Sequence, residues 1–224
     1  MAIDQSITKR RLRAWINLLN ADQRASGETW YQDANVFART VGQQYRLDIR
    51  IVVGVLAVTS VQNRWDLNKR DCEALCRAKY EGRNLVDVSV GTYARQKAKA
   101  LAILKTTTPE HVRHMIGTRY APKTKAFYDN ILHPDTSELV TLDRWIFRGL
   151  DLEYLTNGAG NRHVAAYRAI SQLVVAEARR MKMRPCALQA AIWLCIQQTA
   201  YAEQWEGSRP LTGLPNKPDD GIPI

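Results

Sequence analysis

The chain has 224 residues, 46% hydrophobic and 24% charged, with 32 Lys and Arg against 22 Asp and Glu and a net charge of +10. These proportions are those of an ordinary globular protein with one substantial core or two smaller ones, and the positive charge favours a polyanionic partner, above all nucleic acid. No apolar run is long enough to span a membrane and the start, MAIDQSITKRRLRAW, lacks a signal-peptide core, so we expect a cytoplasmic protein with no membrane partner.

The first two predicted elements are amphipathic helices, because apolar residues recur at helical spacing along each of them. The apolar stripe of the first is Leu12, Trp15, Ile16 and Leu19, and that of the second is Trp30, Ala34, Phe37, Val41 and Tyr45. The first helix also carries Lys9, Arg10, Arg11 and Arg13. Such basic residues usually form a solvent-exposed face, but their positive charge would also allow them to bind phosphate groups.

The next segment, Ile49 to Val58, is rich in Val and Ile and fits a buried strand as well as a buried helix. We favour a helix, because no other segment predicts a partner strand. A cluster of polar residues with one aromatic ring follows, and it consists of Ser60, Gln62, Asn63, Trp65 and Asn68. A nucleobase pocket requires a ring to stack on and amides that read the base edge. Taken alone, Trp65 is explained as a core aromatic and Asn68 as an exposed residue of a helix that Asp66 caps.

A basic helix from Gly91 to Leu104 leads to the central feature of the chain, a pair of short helices and an aspartate. The first short helix opens at Thr108 and Pro109 and stops at Gly117, and the second opens at Pro122 and Lys123. An extended approach then brings Asp143 to the position of a helix N-cap. An Asp there accepts backbone N–H groups at the positive end of the helix dipole, so we expect a fixed negative charge. Most such residues are only caps.

Two long helices are predicted beyond residue 160, and the break from Asn157 to Asn161 precedes them. The tail at 207–224 is rich in Pro and Gly and is expected to be a loose, flexible extension. The four cysteines are Cys72, Cys76, Cys186 and Cys195. Their spacing favours buried thiols and predicts no metal site.

Between about Ile51 and Leu150, three segments resemble the conserved motifs of a known protein family. They are VVGVLAVTSVQ, YARQKAKALAIL, and IGTRYAPKTKAF followed by VTLDRW. In this order they resemble the helix-hairpin-helix DNA glycosylase superfamily, in which a hairpin of short helices grips the phosphate backbone. The family usually has a Gly-hydrophobic-Gly turn, whereas here Gly117 is followed by Thr118 and Arg119, so fewer bare backbone amides face a phosphate.

The resemblance implies an all-α fold of two lobes with a cleft between them. Residues 49–150 would form the central lobe with the hairpin, and residues 1–48 and 151–206 would form the other lobe. The hairpin and Asp143 would face the cleft. Many members carry an iron-sulfur cluster on four closely spaced C-terminal cysteines, but the spacing here does not match it, so we expect no cluster and no other cofactor.

The resemblance also implies residue roles. Asp143 would be the catalytic carboxylate, and Lys123 matches the lysine that forms a Schiff base in bifunctional members, or it is a phosphate contact. The DNA backbone would be held by Arg119, Lys123, Lys125 and Lys97. The base pocket would contain Ser60, Gln62, Asn63, Arg64, Trp65, Asn68 and Arg144, with Gln62 entering the gap that an extruded base leaves.

Three functions remain open. The motifs resemble members borne by bacteriophages more than repair enzymes, which favours thymidine hypermodification in the host cytoplasm. Such an enzyme transfers an amino acid or amine co-substrate onto pyrophosphorylated hydroxymethyluracil in DNA. The alternative is a DNA N-glycosylase that excises a modified or damaged base, and the third is a DNA-binding module without catalytic activity.

Overall fold

The computed structural model describes residues 3–117, 121–156 and 161–205. In chain order its helices are α1 (Gln5–Leu18), α2 (Ala21–Gln44), α3 (Ile49–Thr59), α4 (Trp65–Tyr80), α5 (Ala94–Lys105), α6 (Val112–Met115), α7 (Pro122–Leu132), α8 (Arg144–Gly149), α9 (Asn161–Met181) and α10 (Pro185–Trp205). The described residues contain no strand, which confirms the predicted all-α class. Each of these helices is too short or too polar to cross a bilayer.

The helices group into two compact units. Within the described residues, unit 1 contains 3–31, 133–156 and 161–205, and unit 2 contains 32–117 and 121–132. The division therefore falls after residues 31 and 132, and not after residues 48 and 150 as the sequence suggested. The predicted tail at 207–224 and most of the predicted break, at 157–160, lie outside the described residues.

Unit 2 is built around α3, which packs against α4, α5, α6 and α7. Every residue from Ile51 to Thr59 is buried. A helix that is apolar on all sides is stable only when other elements surround it, so the Val- and Ile-rich run reflects burial on every face. The helix predicted for this segment is confirmed. Asp48 caps it by accepting a hydrogen bond from the backbone N–H of Arg50.

A glycine allows two neighbours to approach α3 closely. A Cβ atom added to Gly54 would lie 2.4 Å from Cγ1 of Val112 and 3.2 Å from Cγ2 of Ile103. Both distances are shorter than ordinary carbon contacts, so α5 and α6 pack against the bare backbone of α3 at this point.

Unit 1 is built around α10, which contacts α1, α8 and α9. Leu12, Trp15 and Ile16 of α1 are buried, as their helical spacing predicted. The indole N–H of Trp15 donates to the carbonyl of Gly149 at 2.7 Å, which fixes α1 against the end of α8. Unit 1 also contains the first part of α2.

The shifted boundaries have physical causes. Residues 133–150 belong to unit 1 because α8 packs against α10. The later part of α2 belongs to unit 2, where the amide of Asn35 donates to the carbonyl of Ile131 at 2.7 Å and the hydroxyl of Tyr45 donates to Glu73 at 3.1 Å. Helix starts also differ: α4 begins at Trp65, one residue before the predicted cap Asp66, and α5 begins at Ala94.

We predict that Gly54→Ala destabilises the protein. Helix propensity alone would stabilise it by about 1 kcal/mol, whereas overpacking costs about 1–3 kcal/mol. We expect a lower urea midpoint with an unchanged m-value and a net loss of about 1–2 kcal/mol. Ala102→Gly, at an exposed position of α5, gives the size of the propensity contribution alone. A stabilised Gly54→Ala variant would contradict the close packing of α3.

Candidate functional site

Asp143 lies at the N-cap of α8, at the end of an extended approach. Its backbone is extended, with φ −97° and ψ −177°, and its Oδ1 accepts a hydrogen bond from the backbone N–H of Ile146 at 3.1 Å. The predicted cap is therefore confirmed. The residue as a whole is partly exposed.

A tryptophan from α10 holds the second oxygen of this carboxylate. The indole N–H of Trp193 donates to Oδ2 of Asp143 at 2.8 Å. The ring of Trp193 meets that of Trp30 edge to face, with centroids 6.0 Å apart. Trp193 could not be identified from the sequence, because the apolar pattern of a helix does not show which of its rings contacts a residue 50 positions earlier. The two bonds fix both oxygens of Asp143 in orientation.

Tyr167 of α9 fixes the approach to Asp143. Its hydroxyl donates to the carbonyl of Val140 at 2.7 Å and accepts from the backbone N–H of Leu142 at 3.0 Å. Burial raises the pKa of Tyr167, and the negative charge of Asp143 raises it further. The hydroxyl therefore stays protonated at neutral pH and positions the backbone that carries the carboxylate.

Two arginines follow Asp143 on α8, and one glutamate binds both of them. Oε1 of Glu153 accepts from Nε of Arg144 at 3.0 Å and from Nε of Arg148 at 2.6 Å. Arg148 is 2% exposed and also lies over the ring of Trp145. The side chain of Arg144 is 30% exposed, so it is the one of the two with access to solvent.

The other predicted site residues lie in unit 2. Among them Gln62 is exposed and has a positive φ of 51°, a conformation that costs free energy in a residue with a side chain. Its Oε1 accepts a hydrogen bond from the hydroxyl of Tyr93, and the ring of Tyr93 is itself 51% exposed. Gln62 and Tyr93 together form a protruding polar and aromatic pair, which we name the Gln62–Tyr93 pair. No motif or spacing in the sequence links these two residues.

A buried aspartate supports the backbone beneath this pair. Oδ2 of Asp71 accepts from the side-chain amide of Asn63 at 2.9 Å and from the backbone N–H of Gly91 at 2.7 Å. The hydroxyl of Thr92 donates to the carbonyl of Val61 at 2.8 Å. The loop after α3 is thus bonded to the segment before α5, and Asn63 takes part in this support.

Asn68 requires a correction. It is fully buried, its Oδ1 accepts from the hydroxyl of Thr59 at 2.6 Å and its amide donates to the carbonyl of Leu56 at 3.1 Å. Its side chain therefore closes the C-terminal end of α3 and has no surface to offer a base. It is also not the exposed helix residue that was the alternative explanation.

The remaining predicted pocket residues are partly exposed. Trp65 contacts Phe37 and Phe127 edge to face, and the ammonium of Lys69 lies 5.6 Å from the centre of its ring. A base could stack on that face only where Lys69 moves aside. The hydroxyl of Ser60 donates to the carbonyl of Ala57 at 2.9 Å, and Arg64 occupies the N-cap position of α4 without capping it.

In the hairpin, α6 ends before Gly117 and α7 begins at Pro122, as predicted. Lys123 and Lys125 lie in the first turn of α7 and are partly exposed, whereas Arg119 lies outside the described residues. Lys97 donates to the carbonyl of Val86 at 2.5 Å, which ties it to the protein.

Lys99, which the sequence did not single out, donates to the carbonyl of Ile116 at 3.2 Å, at the end of α6. Burial and the nearby charge of Arg95 lower its pKa.

All four cysteines are buried free thiols, as predicted. Burial raises the pKa of Cys72, Cys186 and Cys195, so these groups stay protonated at neutral pH. In the described part of the chain, no group of three or more His, Cys, Asp or Glu side chains is placed to hold a metal ion.

The chain matches the model of the Family of unknown function (DUF7178) over residues 3–200. The chain belongs to this family. Neither the curated proteins nor the solved structures contain a match to the chain. The family description assigns no activity.

We predict that Asp71→Ala destabilises unit 2. Loss of the carboxylate leaves the N–H of Gly91 and the amide of Asn63 without their acceptor, at a cost of about 2–4 kcal/mol in urea unfolding. Asp66→Ala is the matched control on the same helix, because its side chain is 80% exposed and binds only Lys69 at the surface. We expect that control to cost less than about 1 kcal/mol. Equal losses in both variants would show that Asp71 has no special supporting role.

Proposed function

We propose that this protein is an enzyme of DNA glycosylase fold that acts on a flipped, modified pyrimidine in DNA. Its best-supported reaction is transfer of an amino acid or amine onto pyrophosphorylated hydroxymethyluracil. One observation carries the proposal: Asp143 is partly exposed, and separate donors on α8 and α10 orient its two oxygens. Capping alone needs one oxygen, so the second bond gives this carboxylate a fixed direction as well as a fixed position.

The proposed transfer is a substitution at the carbon that joins the base to its pyrophosphate. The amine nitrogen forms a bond to this exocyclic methylene carbon, and the bond from that carbon to the pyrophosphate oxygen breaks. The leaving pyrophosphate takes the electron pair, and Asp143 accepts the proton that the amine loses. Arg144 follows Asp143 on α8, and Arg64 is a second candidate; a guanidinium suits the leaving pyrophosphate because it binds phosphate oxygens in pairs.

Unit 2 contributes the groups proposed to handle the DNA strand. Extruding a base costs a few kcal/mol, and a side chain that fills the gap offsets part of that cost. The Gln62–Tyr93 pair suits this role, because Gln62 is held in a strained backbone conformation and the exposed ring of Tyr93 offers a face for stacking. Lys123 and Lys125 in the first turn of α7 are the proposed phosphate contacts of the hairpin, together with Arg119.

Base excision is the alternative, and the same carboxylate supports it. When a glycosidic bond breaks, positive charge develops on the deoxyribose, and an oriented anion stabilises that charge or activates water. Lys123 would add Schiff-base chemistry in a bifunctional enzyme. We place transfer first because the KTKAFYDNIL, VTLDRW and SVQNRW motifs resemble phage-borne members of the superfamily. The third function, a DNA-binding module without catalytic activity, would carry out neither reaction.

We predict that Asp143→Asn lowers product formation by at least about 100-fold. Asparagine also caps helices, so the variant should keep its fold while losing the negative charge. The assay incubates DNA containing pyrophosphorylated hydroxymethyluracil with a mixture of amino acids and polyamines, and mass spectrometry of digested nucleosides detects the products. Asp151→Asn, an exposed aspartate of unit 1, is the control and should retain activity.

The outcomes of this assay separate the three functions. A nucleoside that is heavier by the incoming amine indicates transfer, whereas free base with alkali-labile sites indicates excision. If wild type yields neither product and Asp143→Asn binds DNA as wild type does, both enzymatic proposals fail for the substrates tested.

We predict that Trp193→Phe lowers kcat about tenfold and leaves KM unchanged, because one hydrogen bond to a charged group contributes about 1.5 kcal/mol. Phenylalanine keeps most of the packing and removes only the donor to Asp143, so Trp193 is a positioning residue. Trp15→Phe is matched, since it also removes a buried indole bond in unit 1, to Gly149, without touching Asp143. Equal kcat losses in the two variants would indicate a general effect of destabilisation.

A further inference from the structure

All four charged residues of α1 are basic, and they lie within five consecutive positions, Lys9 to Arg13. Like charges three and four residues apart on a helix repel one another. This arrangement is therefore unfavourable for an isolated helix and needs an electrostatic partner.

Two of the four cations have such a partner inside unit 1. Arg11 binds Asp151 at 2.7 Å, and Arg13 binds Glu177 at 2.8 Å. Glu177 is 2% exposed and also accepts from Arg180 at 2.8 Å, so it joins α1 to α9. Burial alone would raise the pKa of Glu177, but the hydrogen bonds from Arg180 and Arg13 lower it overall. These arginines are structural.

The other two cations point outward. Lys9 and Arg10 are exposed, and within the described residues neither forms an ion pair, although the N-cap residue Asp4 attracts Arg10 over a longer distance. They belong to one face of α1, which borders an open depression and consists of Ser6, Lys9, Arg10, Arg13, Ala14 and Asn17. We name it the α1 basic face. Its neutral members are small, so the charged groups can be approached without obstruction.

The spacing and composition of this face fit a phosphate backbone. Lys9 and Arg10 are consecutive, about 1.5 Å apart along the helix axis, so their long side chains can reach one phosphate or two adjacent phosphates of a DNA strand. A helix that binds a membrane surface needs a continuous row of large apolar side chains beside its basic ones. In α1 the exposed large apolar residues are Ile7 and Leu18 near its two ends, and Leu12, Trp15 and Ile16 are buried. A polynucleotide is thus favoured over an anionic lipid surface.

We propose that the α1 basic face is a DNA-backbone contact of unit 1, separate from the hairpin contacts of unit 2, with Lys9 and Arg10 binding phosphates. This inference deepens the proposed function and rests on it for the choice of DNA. The face supplies affinity without sequence preference, because phosphate contacts position a protein on DNA and do not read bases.

The test measures binding of full-length protein to a fluorescent DNA duplex, by anisotropy, at salt concentrations from 50 to 200 mM. Each lost phosphate contact lowers the slope of log K against log salt by about 0.9. Lys9→Gln/Arg10→Gln should therefore lower the magnitude of the slope by about 1.8. The ratio of the wild-type binding constant to that of the variant should then fall about tenfold between 50 and 200 mM salt.

The matched control is Arg168→Gln/Arg179→Gln, which removes the same charge from exposed positions on α9. These two residues lie 11 positions apart and so share one helix face, opposite to the face of Glu177 that meets α1. A slope change confined to the α1 variant supports the proposal.

Equal changes in both double variants would indicate net charge alone and overturn the proposal, as would no change in either. Binding to phosphatidylserine vesicles that depends on Lys9 and Arg10, without an effect on DNA, would assign the face to a lipid surface and overturn it too. The reaction assay is separate: loss of this contact with normal product formation at low salt leaves the enzymatic proposal intact.

Discussion

Removing a carboxylate from water is costly unless donors replace the lost hydration, and this requirement shapes the surroundings of Asp143. The backbone N–H of Ile146 satisfies one oxygen and the indole of Trp193 satisfies the other. These two hydrogen bonds therefore also fix the start of α8 against α10. Tyr167 extends the same arrangement, because its hydroxyl binds the backbone on either side of Thr141 and so fixes the direction from which the chain reaches Asp143.

The carboxylate of Asp71 in unit 2 has a structural role, and comparing it with Asp143 indicates which of the two is suited to catalysis. Asp71 is 3% exposed, and its donors come from the loop after α3 and from Gly91, so its role is to join two segments. Asp143 has similar donors but remains partly exposed. A catalytic group has to be oriented by the protein and still reach its substrate, and of these two carboxylates only Asp143 meets both conditions.

Features set by local sequence were predictable, and features set by packing between distant segments were not. Capping by Asp143, the opening of α7 at Pro122 and the buried α3 follow from a few consecutive residues. The hydrogen bond of Trp193, the burial of Asn68 and the boundaries of the units depend on which helices meet, and an amphipathic pattern shows that a face is buried without showing against what. The pocket prediction failed at Asn68 for this reason, since a polar side chain beside an apolar helix can equally close the end of that helix.

The same reasoning separates the basic residues of α1 into two kinds. Arg11 and Arg13 are accounted for by the fold, because acceptors in unit 1 neutralise them. Lys9 and Arg10 add repulsion within α1, since like charges at helical spacing cost a few tenths of a kcal/mol per pair, and the attraction of Asp4 for Arg10 offsets part of it. Lys9 and Arg10 are therefore the cations of α1 whose charge the proposed DNA contact would neutralise. For an enzyme that extrudes a base, phosphate contacts outside the reacting nucleotide contribute binding free energy that offsets the cost of distorting the strand.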